Sequence, residues 1–531
     1  MPGLLSCLQE VLGPHASPTP IQALSLKWLL DNPNEPDAVS GGWKQFLLAS
    51  ETGSGKSIAY LLPVLQNLKL SELDGSSPHL SQVSQGHRRP LNPRALILAP
   101  THELSRQLSS FAKSLLHKIK LRVLCASRAN VKNTKERDVT ARQMATHLEA
   151  DQDSGEFEIK ERSGFPVDVV VGTPMKLLEL VKGRGWDCKE PDAEDAAETV
   201  DDGPSPKLRR GRDKLVGFGK WRSKPEMGLA NVEWVVIDEA DVLFDPDFQE
   251  TTRQLLAEIS AARGRPIPLD PATSLSNPST TLPPSTPLPY DYPFNLILTS
   301  ATIPASLSAY LDTHHPKMMR LASPRLHRLP KALQTEYVNW TGGNKHADIE
   351  RRIRRVWAED SAKLNINEGS QQLSKILIFC NKSTKVEELG EYLVEQGIEN
   401  IALSSTSEHR KRGSNHHLDG FLRTRDKDSK DSSSDEQETA TSDAVNASDP
   451  KINRHVLITT SLLSRGLDFS PSIQHVFIVD QPRNMIDFLH RAGRTGRAGE
   501  KGKVVIFGKM EGRGSSSAKD VRKKIGSLAA Q

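Results

Sequence analysis

The stretch SETGSGKS at residues 50–57 restricts the fold of this chain more than any other feature. It follows the apolar run FLLA at 46–49 and precedes the helical pattern IAYLLPVLQNL at 58–68. A glycine-rich loop between a strand and a helix is the context of a P-loop, where backbone N–H groups at a helix N-terminus surround phosphate oxygens. Ser50 replaces the first glycine of the strict pattern. The flanking elements nevertheless favour a phosphate-binding loop over an ordinary glycine-rich turn.

The residues of this loop have distinct expected roles toward a nucleotide. Gly53 and Gly55 permit backbone conformations that turn N–H groups toward phosphate oxygens. Lys56 is expected to reach the β- and γ-phosphates of ATP, and Ser57 to ligate Mg²⁺. The predicted nucleotide-binding residues of the loop are Ser50, Glu51, Thr52, Gly53, Ser54, Gly55, Lys56 and Ser57.

A second apolar run, VVI at 235–237, ends in the acidic sequence DEAD at 238–241. Taken alone, such a quartet is more often a solvated turn. At the end of a buried strand in a chain with a P-loop, it favours catalysis. We expect Asp238 to hold Mg²⁺ through its water shell and Glu239 to orient or deprotonate the attacking water.

Short apolar runs alternate with helical patterns along the whole chain, which is typical of parallel sheets covered on both faces. A length of 531 residues is also too long for one ordinary core. We therefore predict an α/β fold with two tandem domains, residues 1–325 and 326–531. The predicted strands lie at 46–50, 94–100, 167–174, 234–241, 295–302, 375–381, 455–461, 475–481 and 503–509.

Polar stretches rich in Ser, Pro, Gly, Asp and Lys interrupt this alternation of strands and helices. They contain too few apolar residues to form a packed core. We predict that they are disordered insertions. They lie at about 70–92, 184–228, 264–293 and 423–453.

Composition excludes some classes of protein. A formal charge of +4 is too small to indicate nucleic-acid binding by itself, so any basic surface must be local. No apolar run approaches the roughly 18 residues of a spanning helix, so membrane insertion is not expected. Two basic clusters, 351–355 and 207–212, could contact RNA, but the first fits the polar face of a helix and the second a solvated loop or a localisation signal.

Together the P-loop and DEAD sequences resemble the DEAD-box RNA helicases, a family with two RecA-like domains. Further motifs resemble that family in the same order between residue 17 and about 508. They are PTPIQ at 18–22, APTHEL at 99–104, TPMKL at 173–177, SAT at 300–302, ILIFC at 376–380, TSLLSRGLD at 460–468 and HRAGRTGR at 490–497.

The resemblance implies roles for individual residues. Gln22 would contact the adenine edge, Asp468 the ribose, and His490 would connect the DEAD and SAT elements. Ser300 and Thr302 would couple hydrolysis to strand separation. The expected RNA contacts are Pro100, Thr101, Thr173, Pro174 and Thr460.

Two arginines of the last motif, Arg494 and Arg497, lie in a domain that has no P-loop. The planar, always-charged guanidinium suits a γ-phosphate on which charge builds during phosphoryl transfer. If these arginines come from the second domain, hydrolysis requires the domains to close, and RNA binding can control it.

Some positions depart from the family pattern, mainly on the RNA side. His102 stands where the family usually has Arg, Met175 and Lys176 where it has Gly-Arg, and Ser461 where it has Asp. We expect weak or partner-dependent unwinding from this pattern.

Within the family, the chain resembles the fungal mitochondrial DEAD-box helicases of large-ribosomal-subunit assembly. That resemblance implies an ATP-dependent RNA helicase in mitochondria, with ribosomal RNA and assembly proteins as partners. The first 16 residues contain no Arg or Lys, so no presequence is visible there and a truncated gene model would explain its absence. The alternatives are a cytosolic or nucleolar helicase, an RNA-binding assembly factor that uses ATP as a clamp without unwinding, and a DNA helicase of the same superfamily.

Overall fold

The chain is described by a computed structural model, and its fold is built on two parallel β-sheets. The described residues are 1–30, 43–73, 89–127, 167–183, 186–187, 224–267, 289–324, 326, 333–364, 373–405, 415–423, 454–496, 500–509, 519 and 522–523.

The first sheet is formed by seven parallel strands in the spatial order β3-β4-β2-β5-β6-β1-β7. We call this sheet and its helices the first lobe. Its strands are β1 (Gln45–Ala49), β2 (Ala95–Leu98), β3 (Val123–Ala126), β4 (Val169–Gly172), β5 (Trp234–Ile237), β6 (Asn295–Ser300) and β7 (Met319–Ala322).

The second sheet has six parallel strands in the order β10-β11-β9-β12-β13-β8, and with its helices it forms the second lobe. The chain passes from one sheet to the other between β7 and β8. The strands are β8 (Leu333–Asn339), β9 (Lys375–Cys380), β10 (Asn400–Leu403), β11 (Val456–Thr460), β12 (Ile473–Ile478) and β13 (Gly502–Gly508).

Helices cover both faces of each sheet. In β2, Leu96 and Leu98 belong to one apolar cluster, whereas Ala95 and Ile97 belong to the cluster on the opposite face. This two-sided burial is why the strands are nearly continuous apolar runs. The helices are α1 (Pro2–Leu12), α2 (Pro20–Leu30), α3 (Lys56–Leu73), α4 (His102–Ser114), α5 (Pro174–Lys182), α6 (Ala240–Leu243), α7 (Gln249–Ala262), α8 (Ala305–His314), α9 (Lys345–Leu364), α10 (Ser383–Glu395), α11 (Ser461–Ser464) and α12 (Met485–Ala492).

The predicted fold class is confirmed, since both lobes are parallel sheets between helices. The boundary at 325/326 falls between β7 and β8 and stays a prediction. Most of the four predicted insertions lies outside the described residues. Their ends were drawn too wide, because residues 70–73 continue α3 and apolar side chains at the other ends enter the core. Those core residues are Leu91, Met227 and Tyr292.

None of the helices in the described part of the chain combines the length and the apolar character needed to cross a bilayer.

Candidate active site

The phosphate-binding loop follows β1 and ends where α3 begins at Lys56. Gly53 and Gly55 have φ values of 79° and 83°, in the left-handed region that glycine adopts without strain. The Lys56 Nζ donates hydrogen bonds to the carbonyl oxygens of Ser50 and Glu51, at 2.8 and 3.0 Å. Burial lowers the pKa of Lys56, while the carboxylates of the DEAD sequence oppose that shift. The loop thus places one buried cation at its centre.

Two residues before and within α2 brace the same loop. The Oε1 of Gln22 accepts a hydrogen bond from the Thr19 N–H at 2.9 Å, and its Nε2 donates to the Gly55 carbonyl at 3.1 Å. The Thr19 hydroxyl donates to the Ser54 carbonyl at 2.7 Å. A Cβ on Gly55 would overlap the Gln22 amide, so both the φ value and the contact require glycine here. Gln22 therefore lies directly on the loop expected to hold the nucleotide.

At the end of β5, Asp238 and Glu239 are both 4% exposed. Burial, together with the charge of the neighbouring Glu239, raises the pKa of Asp238 to about 6. Glu239 has φ 54° and ψ 54°, a strained backbone for a residue with a side chain. Its Oε2 is buried and accepts no hydrogen bond from the described residues. That oxygen is available to a water or a ligand.

The last carboxylate of the DEAD sequence, Asp241, joins the two lobes. Its Oδ2 accepts hydrogen bonds from the Thr302 hydroxyl at 2.9 Å and from the Arg465 guanidinium at 3.1 Å. The His490 Nε2 lies 3.1 Å from the same oxygen and 3.2 Å from the Thr302 hydroxyl. Burial favours a raised pKa, but His490 and Arg465 outweigh it and hold the pKa of Asp241 far below its usual range. Because Arg465 and His490 come from the second lobe, this ion-pair network exists only when the lobes are in contact.

The described part of the predicted nucleotide-site motif at 490–497 of the second lobe also lies beside the phosphate-binding loop. The Thr52 hydroxyl of the phosphate loop donates to the Gly493 carbonyl at 3.2 Å. The next residue, Arg494, is 2% exposed and donates through Nη1 to the Leu467 carbonyl at 3.0 Å. Its charge acts on Lys56, so the two cations are close to each other. Arg497 lies outside the described residues.

Helix α4 forms a second bridge between the lobes. The Arg106 Nη1 donates to the Asn415 Oδ1 at 3.1 Å, and the Asn415 Nδ2 donates to the Glu103 carbonyl at 3.1 Å. One residue further along α4, the Gln107 Oε1 accepts a hydrogen bond from the Asp468 N–H at 3.1 Å. Asp468 is thus held at the interface by its backbone.

Three of the predicted RNA contacts share one local structure. Thr101, Thr173 and Thr460 each follow a strand end and cap a helix by accepting a hydrogen bond from a backbone N–H, at 3.3, 3.4 and 3.5 Å. A capping hydroxyl oxygen still has its own hydrogen to donate. Of the two prolines, Pro100 is half-buried and Pro174 is buried.

Two of the departures from the family pattern are engaged within the protein, whereas Met175 is exposed. Lys176 is 6% exposed and forms an ion pair with Glu179 at 2.9 Å. The Ser461 hydroxyl accepts a hydrogen bond from the Arg491 Nε at 2.8 Å. Three arginines of the 351–355 cluster form ion pairs with acidic residues of α9, which supports the polar-face interpretation. Those pairs are Arg351–Asp348, Arg354–Glu350 and Arg355–Glu359; the 207–212 cluster lies outside the described residues.

The oxygen atoms around Asp238 fit a magnesium–triphosphate. Burial raises the pKa of the Tyr60 hydroxyl, and the Ser57 side chain lies close enough to oppose that rise. The Tyr60 hydroxyl donates to the Asp238 Oδ2 at 3.2 Å. The two predicted metal ligands are therefore separated by a single hydroxyl. Hydroxyl and carboxylate oxygens are the ligands that Mg²⁺ prefers.

Sequence reasoning did not single out Arg465, Tyr60 or Thr299, all of which touch the DEAD carboxylates. Arg465 carried a usable signal, because it is a charged residue within the motif at 460–468. Tyr60 and Thr299 carried none, since each lies in a run that reads as ordinary core.

Comparison with known proteins identifies two family models in the chain. The DEAD/DEAH box helicase model matches residues 19–192, and the helicase conserved C-terminal domain model matches residues 361–499. The chain is 34% identical to the ATP-dependent RNA helicase MRH4, mitochondrial, of Cryptococcus neoformans, over 96% of this chain and 82% of that protein. It is 27% identical to the protein of the same name from Pyricularia oryzae, over 92% of this chain and 66% of that protein.

Solved structures share the fold at low sequence identity. The structure of Mss116p bound to ssRNA and AMP-PNP matches with a TM-score of 0.56 at 15% identity. The match covers 95% of this chain and 72% of the Mss116p chain. Dbp5 of S. cerevisiae bound to RNA and ADP BeF3 has a TM-score of 0.53 at 17% identity, with coverages of 100% and 91%.

Proposed function

The chain belongs to the DEAD/DEAH box helicase family, and on this premise we propose that it is a mitochondrial ATP-dependent RNA helicase acting on ribosomal RNA during ribosome assembly. Within that function, we assign ATP binding to the phosphate-binding loop and Gln22, and the activation of water to Glu239. RNA contact is assigned to the threonines that cap helices at strand ends.

One observation carries the proposal. Asp241 of the DEAD sequence is held by Arg465 and His490 of the second lobe, at 3.1 Å each. Because this network links the carboxylates beside the phosphate loop to the other lobe, hydrolysis can depend on lobe closure. Such gating makes the hydrolysis of ATP depend on bound RNA.

The chain's own residues divide the reaction as follows. Lys56 binds the β- and γ-phosphates, and the free Oε2 of Glu239 accepts the proton of the attacking water. Arg494 and Arg497 neutralise charge that develops on the γ-phosphate when the lobes are closed. Ser57 and Asp238 would hold Mg²⁺, which when bound neutralises phosphate charge.

RNA would lie across the strand ends of both lobes, where Thr101, Thr173 and Thr460 can donate to phosphate oxygens. Contacts of this kind carry no sequence information. The choice of ribosomal RNA would therefore come from RNA shape or from assembly proteins.

The activity is tested by steady-state ATP hydrolysis with and without single-stranded RNA, and with single-stranded DNA of the same length. We expect RNA to stimulate turnover and DNA to do so weakly. Glu239→Gln should lower kcat by at least 100-fold while leaving nucleotide binding intact, because the amide cannot accept the proton. RNA-stimulated turnover at the original rate in this variant would exclude Glu239 as the base.

A second candidate function is supported by Lys176, which stands where the family has Arg but is buried and paired with Glu179. A side chain held in this way is poorly placed to grip RNA. The protein would then clamp RNA with ATP without separating strands. A short RNA duplex distinguishes the two, because the helicase releases the labelled strand with ATP, whereas the clamp binds ATP and retains the duplex.

The compartment rests on the names of relatives, and the ribosomal role rests only on the sequence resemblance to fungal mitochondrial helicases of ribosome assembly. Both need their own test. A tagged protein produced from its own gene should be found with the mitochondrial fraction. RNA crosslinked to it should be enriched in large-subunit ribosomal RNA. Recovery in the cytosolic or nucleolar fraction would contradict the mitochondrial assignment and leave the ATPase proposal untouched.

A further inference from the structure

The Asp238 carboxylate has a defined set of hydrogen-bond donors on both oxygens. Its Oδ2 accepts from the Tyr60 hydroxyl at 3.2 Å, and its Oδ1 accepts from the Thr299 hydroxyl and from the Glu239 N–H, the latter at 3.1 Å. Tyr60 and Thr299 are both 0% exposed. The carboxylate cannot rotate without breaking at least one of these buried bonds.

The two hydroxyls come from different elements of the first lobe. Tyr60 lies one turn after Ser57 on α3, and Thr299 is the last residue but one of β6, next to Ser300. Strand β5, which ends just before Asp238, pairs with β6. The carboxylate is therefore fixed between the helix that begins at the phosphate loop and the strand that ends in the SAT sequence.

Core packing alone does not account for these hydroxyls. The neighbours of Tyr60 on α3 are apolar and buried, among them Ala59, Leu61 and Val64. Burying a hydroxyl in apolar surroundings is unfavourable unless it is hydrogen-bonded, so phenylalanine and valine would fill the two positions at lower free energy if no acceptor were present. The acceptor they share is Asp238.

We propose that Tyr60 and Thr299 are positioning residues, which hold the Asp238 carboxylate in the orientation from which it binds the magnesium of the nucleotide. The inference rests on the proposed function and adds the two side chains that align its acidic metal ligand. Partners of metal ligands commonly change metal affinity by about 10- to 100-fold when removed.

The test measures the Mg²⁺ requirement of nucleotide binding, independently of hydrolysis. Fluorescent ADP is titrated with Mg²⁺ on the full chain, and the Mg²⁺ concentration at half-maximal binding is compared between variants. Tyr60→Phe and Thr299→Val, which each remove a hydroxyl and little else, should raise that concentration by about 10-fold or more. Nucleotide binding in excess EDTA should be unchanged.

Conservative and remote variants separate positioning from a general effect on folding. Thr299→Ser keeps a hydroxyl and should restore the Mg²⁺ requirement of the original protein. Tyr292→Phe and Thr252→Val alter other buried residues, 3% and 0% exposed, and should leave it unchanged. Each variant is compared by its melting temperature.

An unchanged Mg²⁺ requirement in Tyr60→Phe and Thr299→Val would overturn the inference, as would equal shifts in the two remote variants. If the unaltered protein fails to bind the nucleotide at all, the proposed function itself fails. The two failures are therefore distinguishable.

Discussion

Asp241 shows at the scale of single residues how one lobe acts on the other. It is 6% exposed, and the groups that hold it come from three separate segments of the chain. A buried carboxylate is stable as an ion only when it is paired and hydrogen-bonded. Removing one cation therefore affects the closed arrangement more than the fold of either lobe.

We expect Arg465→Gln to lower kcat for RNA-stimulated ATP hydrolysis by at least 30-fold, equivalent to about 2 kcal/mol, because the closed form would leave Asp241 incompletely paired. The affinity for ATP should change little, since the phosphate loop lies wholly in the first lobe. Arg355→Gln is the matched control, because it breaks an exposed ion pair in the same lobe. A loss of ATP affinity with unchanged kcat would contradict this account.

Local motifs predicted the residue types at the site but not the contacts between distant segments. Arg465 lies 224 positions from Asp241, and Tyr60 lies 178 positions from Asp238. Spacing along the chain carries no information about such pairs until the sheet order is known. Thr299 was missed for a related reason, since a threonine in an apolar strand is ordinarily a core residue.

At the scale of elements, the sequence predicted the interiors of both sheets and missed their edges. The nine strands predicted from apolar runs correspond to strands of the structure. The four that were missed, β3, β7, β8 and β10, are the edge strands. An edge strand is covered by one neighbour only, so it need not be continuously apolar. In β8, LQTEYVN, no residue is fully buried, and its sequence forms no continuous apolar run.

Gly466, just after α11, marks a close approach of the second lobe to the first. Its φ is 69°, and a Cβ there would overlap the side chain of Leu104 on α4. Gly466→Ala should reduce RNA-stimulated turnover strongly, because the added methyl group keeps the lobes apart. Steady-state ATP hydrolysis at saturating RNA measures this effect.

Gly397→Ala is the control for backbone strain alone. Its φ is 75°, and nothing lies within 4 Å of the position a Cβ would take. Both substitutions should lower the free energy of unfolding by about 1–2 kcal/mol. Equal effects of the two on turnover would show that the contact with Leu104 has no part in closure.

At the scale of the whole molecule, two networks of the described residues join the lobes, in addition to the Thr52–Gly493 hydrogen bond. One is the Asp241 network. The other is on α4, where Arg106 donates to Asn415 and Gln107 accepts from the Asp468 N–H. Since Thr101, an expected RNA contact, caps the start of α4, the second bridge can link RNA binding to the interface between the lobes.

We expect small-angle X-ray scattering to show a smaller radius of gyration with RNA and a non-hydrolysable ATP analogue than with neither. Removing the α4 bridge by Arg106→Ala with Asn415→Ala should leave more of the protein in the expanded form and raise the RNA concentration needed for half-maximal turnover. Lys69→Ala, which breaks an exposed pair within α3, provides a matched surface control. Full compaction of the double variant at the same RNA concentration would contradict a role for this bridge.

The position of the edge strands β7 and β8 has a consequence for how the two lobes can move relative to each other. The polypeptide leaves one sheet along its rim and enters the other along its rim. The two lobes can therefore separate and come together again without breaking the hydrogen bonds of any interior strand. Because only a short stretch of chain joins the lobes, each lobe stays at a high effective concentration for the other. Weak contacts between the lobes are then sufficient for repeated closing and opening.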